Sequence, residues 1–202
     1  MIAIIDYGMG NLRSVQKALE KVGAETVITH NAVDIQEAEK IILPGVGAMR
    51  PAMEKLQDLE LVEVIQQATR TKKPFLGICL GLQLLFEMGK EGGQVEGLGI
   101  FPGMVTRFPE RVKAPHMGWN QLKLSKRNCP LWEGIPNNAN VYFCHSYYVN
   151  PTQSGITASL TDYGGNFVSS IHKDHIFGLQ FHPEKSQAVG LKILENFVRL
   201  KT

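Results

Sequence analysis

Three things are scarce in this 202-residue sequence: cysteine, an excess of either charge sign, and long apolar runs. Its three cysteines, Cys79, Cys129 and Cys144, are odd in number and lack C-x-x-C spacing. That argues against a disulfide framework or a zinc ribbon, and makes a reducing cytoplasm the expected location. Twenty-one basic and nineteen acidic residues leave a net charge of +2 with no block of one sign. Neither a nucleic-acid footprint nor a polybasic membrane patch is expected. No apolar run approaches the ~20 residues of a membrane span. The opening MIAIIDYG has no basic n-region, long h-region or small-residue cleavage site, so a signal peptide is not expected either.

What is present is enough apolar residue, 44%, for one substantial core, and we read residues 1–202 as a single globular domain. The first ninety residues alternate short β-like runs (2–5, 26–28, 40–43, 74–78) with helical patterns at 11–22 and 51–71, the latter broken near Asp58. That rhythm predicts a parallel sheet covered by helices. Asn11 is a candidate N-cap and Gly23 a left-handed terminator for the first helix. Residues 80–88 read as a further helix closed by Gly89. From about 92 to 182 the texture becomes short β-runs punctuated by Gly and Pro, at 104–108, 141–149, 167–172 and 176–181, before a last helix at 187–200.

Chemistry concentrates at three places. Gly77-Ile78-Cys79-Leu80-Gly81 lies between a strand and a helix and is the cysteine form of the G-x-S-x-G nucleophile elbow. A strand-to-helix turn that sharp needs Cβ-free neighbours at Gly77 and Gly81, and the helix N-terminus beside Cys79 favours its thiolate. A free cysteine can also be a plain buried hydrophobe, so the context is what selects the catalytic role. Phe181-His182-Pro183-Glu184 ends an apolar run; in an extended segment His182 and Glu184 point the same way, as a base and the acid that orients it. Pro44-Gly45-Val46-Gly47 follows a strand, and Val46 or Gly47 could give a backbone N–H to an oxyanion, with Leu80 as the second donor. A phosphate-binding turn or a plain loop is the competing reading of that segment. Gly8-Met9-Gly10-Asn11-Leu12-Arg13 has arginine where a dinucleotide fingerprint needs its last glycine, so no Rossmann cofactor site is expected. His172 and His175 lack further ligands in zinc-site spacing, so no metal is expected. Cys144 and His145, adjacent on a strand, point to opposite faces and make a poor catalytic pair. Cys129 reads as a loop residue.

The Pro44–Gly47 turn, the Gly77–Gly81 elbow and the terminal His182-Pro183-Glu184, in that order, resemble the class I (triad) glutamine amidotransferase family over essentially the whole chain. Longer strings, Asp6-Tyr7-Gly8-Met9-Gly10-Asn11-Leu12, Pro115-His116-Met117-Gly118-Trp119-Asn120 and Tyr142-Phe143-Cys144-His145-Ser146-Tyr147, are most similar to the branch of that family serving imidazole glycerol phosphate synthesis. The second string speaks against the branch serving pyridoxal phosphate synthesis.

The resemblance implies a three-layer α/β/α, flavodoxin-like fold with a central, mostly parallel sheet and extra β-rich segments in the C-terminal half. It implies that Cys79 attacks the side-chain amide of L-glutamine, that His182 protonates departing ammonia, and that water cleaves the thioester, without a cofactor. It makes Gln83 a glutamine contact and gives the backbone at His145, Ser146 and Tyr147 the substrate's amino-acid end. Because the glutaminase occupies the whole 202-residue chain, the ammonia-using chemistry is expected on another subunit. By resemblance that is a (β/α)8-barrel cyclase making imidazole glycerol phosphate and aminoimidazole carboxamide ribotide in histidine biosynthesis. Asn11, Trp119, Tyr142 and Lys185 are the expected docking residues, since aromatics are enriched at interface hot spots.

Overall fold

A computed structural model describes residues 1–201. Five short, almost wholly apolar segments make the centre of the sheet: β1 (Ile2–Ile5), β2 (Thr26–Thr29), β3 (Lys40–Gly45), β4 (Phe75–Cys79) and β13 (Ile176–Leu179), in the order β2-β1-β3-β4-β13 and all parallel. A strand buried on both faces reads as a continuous hydrophobic run rather than an alternating one, and every residue of β1, β3, β4 and β13 is buried. Alternation then assigns the two faces. Ala3, Ile5, Ile41 and Leu43 join a core with helices α2 (Ala32–Glu37), α3 (Met49–Asp58) and α4 (Leu61–Arg70). Ile2, Ile4 and Ile42 face the other way, onto α1 (Leu12–Lys21) and α6 (Gln187–Val198). This is the helix–sheet–helix layering that the sequence rhythm anticipates.

The β-rich half extends that sheet. Strand β12 (Asn166–Lys173) pairs antiparallel with β13, followed by β10 (Tyr147–Pro151), β7 (Phe101–Arg107), β5 (Phe86–Gly89) and β6 (Val95–Glu96). A branch leaves through β11 (Thr157–Asp162) to β8 (His116–Leu124) and β9 (Ala139–His145).

Several local expectations need correction. Residues 80–88 are not one helix: α5 covers only Leu80–Leu84, and the chain then becomes β5. The long-range partners outweigh helical propensity there. Leu84 and Leu85 give their carbonyls to the backbone of Leu98, Ile100 and Phe101, and Phe86 pairs with Phe101. Residues 141–149 are two strands separated at Ser146, not one. Asn11 sits at the N-cap of α1, but its side chain makes no capping hydrogen bond. Gly23 does end that helix with φ +85°, its N–H and that of Ala24 returning to Glu20 and Leu19. The break near Asp58 falls at Glu60, where φ is +56°. Cys129 lies between elements but is buried, 2% exposed, in the α1–α6 core. No helix among the described residues is long and apolar enough to cross a membrane.

The elbow leaves no room for added atoms. A Cβ on Gly81 would collide with the carbonyl of Leu43 in β3, and one on Gly77 would lie 2.8 Å from the carbonyl of Gly81. Gly81→Ala is therefore expected to destabilise the protein by about 1–3 kcal/mol or more through overpacking. Urea unfolding of the purified variant against the parent measures it.

Candidate active site

Strands β3, β4 and β13 run side by side, so their carboxyl ends deliver Gly45, Cys79 and the segment after Leu179 to one edge of the sheet. In open α/β sheets that edge is where ligands bind. A cavity of about 430 Å³ opens there, lined among others by Val46, Gly47, Cys79, Leu80, Gln83, His145, Ser146, Tyr147, His182 and Lys185. Each expected nucleophile, base, oxyanion and substrate residue except Glu184 thus borders one space.

Cys79 has φ +55° and ψ −108°, a conformation that costs a non-glycine residue of order 1–3 kcal/mol. It is the strained turn that the elbow motif requires, and it puts the side chain above the sheet edge. Because α5 is only five residues long, helix-dipole support for a thiolate is reduced to the first few N–H groups. Cys79 Sγ lies 3.9 Å from the carbonyl oxygen of Cys144 and 3.8 Å from Nε2 of Gln180.

His182 and Glu184 meet, but not by strand alternation. Pro183–Lys185 forms a 3₁₀ turn after His182, and the turn folds Glu184 back so that Oε1 accepts from His182 Nδ1 at 2.8 Å. Both side chains are nearly inaccessible, 4% and 1% exposed. The second oxygen of Glu184 is buried and has no hydrogen-bond partner among the described residues. Burial alone would lower the His182 pKa, but Cys79 and Glu184 outweigh it and raise it to about 10. The raised pKa favours the imidazolium, a charge that in turn favours an adjacent thiolate. Its backbone is held too. His182 N–H donates to the carbonyl of Tyr142, while the buried Ser186 hydroxyl donates to the His182 carbonyl and accepts from Tyr142 N–H.

Gln83 is a buried group, 4% exposed, rather than a solvated helix residue. Its Nε2 donates to the Tyr147 carbonyl at 2.9 Å and to Gln180 Oε1 at 3.1 Å. Both amide protons are spent, so Oε1 is what remains for a ligand's N–H groups. The His145 ring is not free for a ligand. Burial, with the nearby His116 and His182, lowers its pKa to about 3, and its Nδ1 donates to the Tyr147 carbonyl at 2.7 Å. The break at Ser146 leaves the backbone of residues 145–147 on the cavity wall.

The expected docking residues divide. Trp119, 48% exposed, packs edge-on against Tyr142 at 6.0 Å, and Lys185 Nζ lies 5.9 Å from the centre of the Tyr142 ring. These three form one cluster, with the exposed Met117 on the strand of Trp119; of them Lys185 lines the cavity, and Trp119 and Tyr142 lie beside it without lining it. Asn11 starts α1 beyond the end of β1 and is not among the cavity's lining residues. Among residues that sequence reasoning missed are Ser186, Gln180 and His116. Their signal was available only as fully buried polar groups, which no spacing rule reveals. His172 and His175 hydrogen-bond to different carbonyls, those of Asp174 and Thr69, and no group of three metal-ligating side chains occurs among the described residues.

Comparison with known proteins supplies the family. The family model for glutamine amidotransferase class-I matches residues 3–200. The chain is 52% identical over 203 residues to imidazole glycerol phosphate synthase subunit HisH 1 of Campylobacter jejuni strain RM1221, covering 99% of this chain and 100% of that one. It is also 52% identical over 200 residues to subunit HisH of Methanocaldococcus jannaschii, with the same coverages. Among solved structures, PurLQS from Thermotoga maritima superimposes with a TM-score of 0.77 at 19% identity over 97% of this chain and 96% of that one, a likeness of fold. The chain belongs to the class I glutamine amidotransferase family.

Proposed function

We propose that this protein is the glutaminase subunit of an imidazole glycerol phosphate synthase, with Cys79 as nucleophile, His182 as general acid and base, and Glu184 as the group that orients His182. The observation that carries the reading is the strained Cys79 at the sheet edge beside a buried His182–Glu184 pair, opening on a cavity with room for one amino acid. Full-length relatives bearing the synthase-subunit name supply the pathway.

In this mechanism the Cys79 thiolate adds to the carbonyl carbon of the glutamine side chain. Negative charge passes to the carbonyl oxygen, where the N–H of Leu80 and that of Val46 or Gly47 stabilise it. Collapse of the tetrahedral intermediate breaks the C–N bond, and His182 gives its proton to the leaving nitrogen so that ammonia departs. Water then adds to the γ-glutamyl thioester with His182 as base, releasing glutamate and restoring the thiolate. Gln83 Oε1 and the backbone of His145–Tyr147 hold the amino-acid end of the substrate. No cofactor is required. Ammonia passes directly to a (β/α)8-barrel cyclase docked over the cavity mouth in the cytoplasm, on a surface centred on Trp119, Tyr142 and Lys185 with Asn11 at its periphery.

Glutamate release is expected to rise strongly when the cyclase subunit and its nucleotide ligand are added to the purified chain, and to vanish in Cys79→Ala. Unstimulated release, or activity surviving that substitution, would refute the assignment. Glu184→Gln should lower kcat by roughly 10²- to 10⁴-fold. It should also move the His182 titration, read by NMR, downward from about 10, because the anion that retains the proton is gone. The sign follows from a raised pKa: the imidazolium persists as pH climbs through neutrality in the parent and is lost earlier in the variant. Trp119→Ala is expected to weaken cyclase binding by about 2 kcal/mol or more, measurable by calorimetric titration, with the fold unchanged.

A further inference from the structure

A chain of hydrogen bonds runs through the β-rich half and ends on the sulfur of Cys79, and its directions are fixed on both sides of the Tyr147 carbonyl, which can only accept. It begins at Asn120 on β8. Asn120 Oδ1 accepts from the N–H of Gln121 at 2.8 Å, which leaves the two protons of Nδ2 to donate. One goes to the carbonyl of Asp162 at 2.9 Å and the other to Nε2 of His116 at 3.2 Å. With Nε2 accepting, His116 must carry its proton on Nδ1, which faces Nε2 of His145 at 3.2 Å. His145 in turn carries its proton on Nδ1 and gives it to the Tyr147 carbonyl.

That carbonyl can only accept, so it also fixes which end of the Gln83 amide faces it. The remaining Gln83 proton goes to Gln180 Oε1, and Gln180 is left with Nε2 directed at Cys79 Sγ, 3.8 Å away. Gln180 is wholly buried, so no water can take its place. The scheme needs both histidines neutral, and burial pushes His116 down to about 4 and His145 to about 3. A proton added to either would set two donors face to face.

Resting on the reading that Cys79 is the nucleophile, we propose that Gln180 is a further catalytic residue, its amide N–H holding the Cys79 sulfur, and that Asn120, His116 and His145 are positioning residues that hold in place the Tyr147 carbonyl from which Gln83 and Gln180 take their orientation. The carbonyl of Cys144, also near the sulfur, can accept from the thiol but offers nothing to the thiolate. Gln180 is the neutral donor that prefers the charged form, and His182 is the charged one.

The test uses the full chain with its partner for kinetics, and the full chain alone for iodoacetamide labelling of Cys79 against pH, followed by peptide mass spectrometry. Gln180→Met keeps the volume and removes the donor. It is expected to lower kcat about tenfold or more, the worth of a hydrogen bond to a charged group, with KM little changed and the labelling midpoint moved to higher pH. His116→Phe, which keeps the ring stacked between Phe143 and Tyr163, should move kcat and midpoint in the same direction by less. His116→Asn, whose amide can donate as Nδ1 does, should restore both.

An unchanged midpoint and kcat in folded Gln180→Met would overturn the proposal. If that variant does not fold, an unchanged midpoint in His116→Phe overturns it instead. Loss of the functional assignment would look different: the parent itself would release no glutamate, or Cys79→Ala would remain active.

Discussion

The structure turns on one close approach. Strand β4 must end and α5 must begin within a single residue, and it does so with the backbone of Gly81 pressed on the Leu43 carbonyl of the neighbouring strand. That contact forces Cys79 into a left-handed φ at a cost of order 1–3 kcal/mol, and the parallel pairing of β3, β4 and β13 on either side sustains the strain. The same pairing brings the end of β13 alongside the elbow, so His182 arrives opposite Cys79 without any loop having to find it. Strain, sheet register and catalytic geometry are one constraint seen at three scales.

Around that constraint electrostatics are arranged in complementary halves. His182 is pushed up by the sulfur and by Glu184, whereas His116 and His145, in the aromatic interior beside Phe143 and Phe167, are pushed down by burial. Three buried histidines thus hold two different protonation states. What separates them is the presence or absence of an anionic neighbour, which outweighs desolvation in one case and leaves it unopposed in the other two.

Much of this was legible in the sequence, for physical reasons that differ from residue to residue. Cys79, with Gly77 and Gly81, was readable because a sharp turn admits few residue types. His182 and Glu184 were readable as a pair, although the 3₁₀ turn that joins them was not, since proline is compatible with both geometries. Parallel strands were readable because burial on both faces erases alternation. The helix foreseen over 80–88 failed after Leu84, where pairing with residues some fifteen positions downstream overrides local propensity. Gln180 and His116 were invisible for a related reason: their roles depend on partners from other strands, and nothing within a few residues of either announces them.

The glycines at 45, 77 and 81 converge on one small volume between β3, β4 and α5, where the added atom of any other residue would strike backbone or buried side chain. In terms of evolvability, these codons are locked together: no one of them can drift unless its neighbours move at the same time. The Trp119 and Met117 surface carries no such lock, being exposed and free of packing demands from the elbow. Change is thus channelled outward, so that a lineage can redraw this surface long before it can alter the elbow.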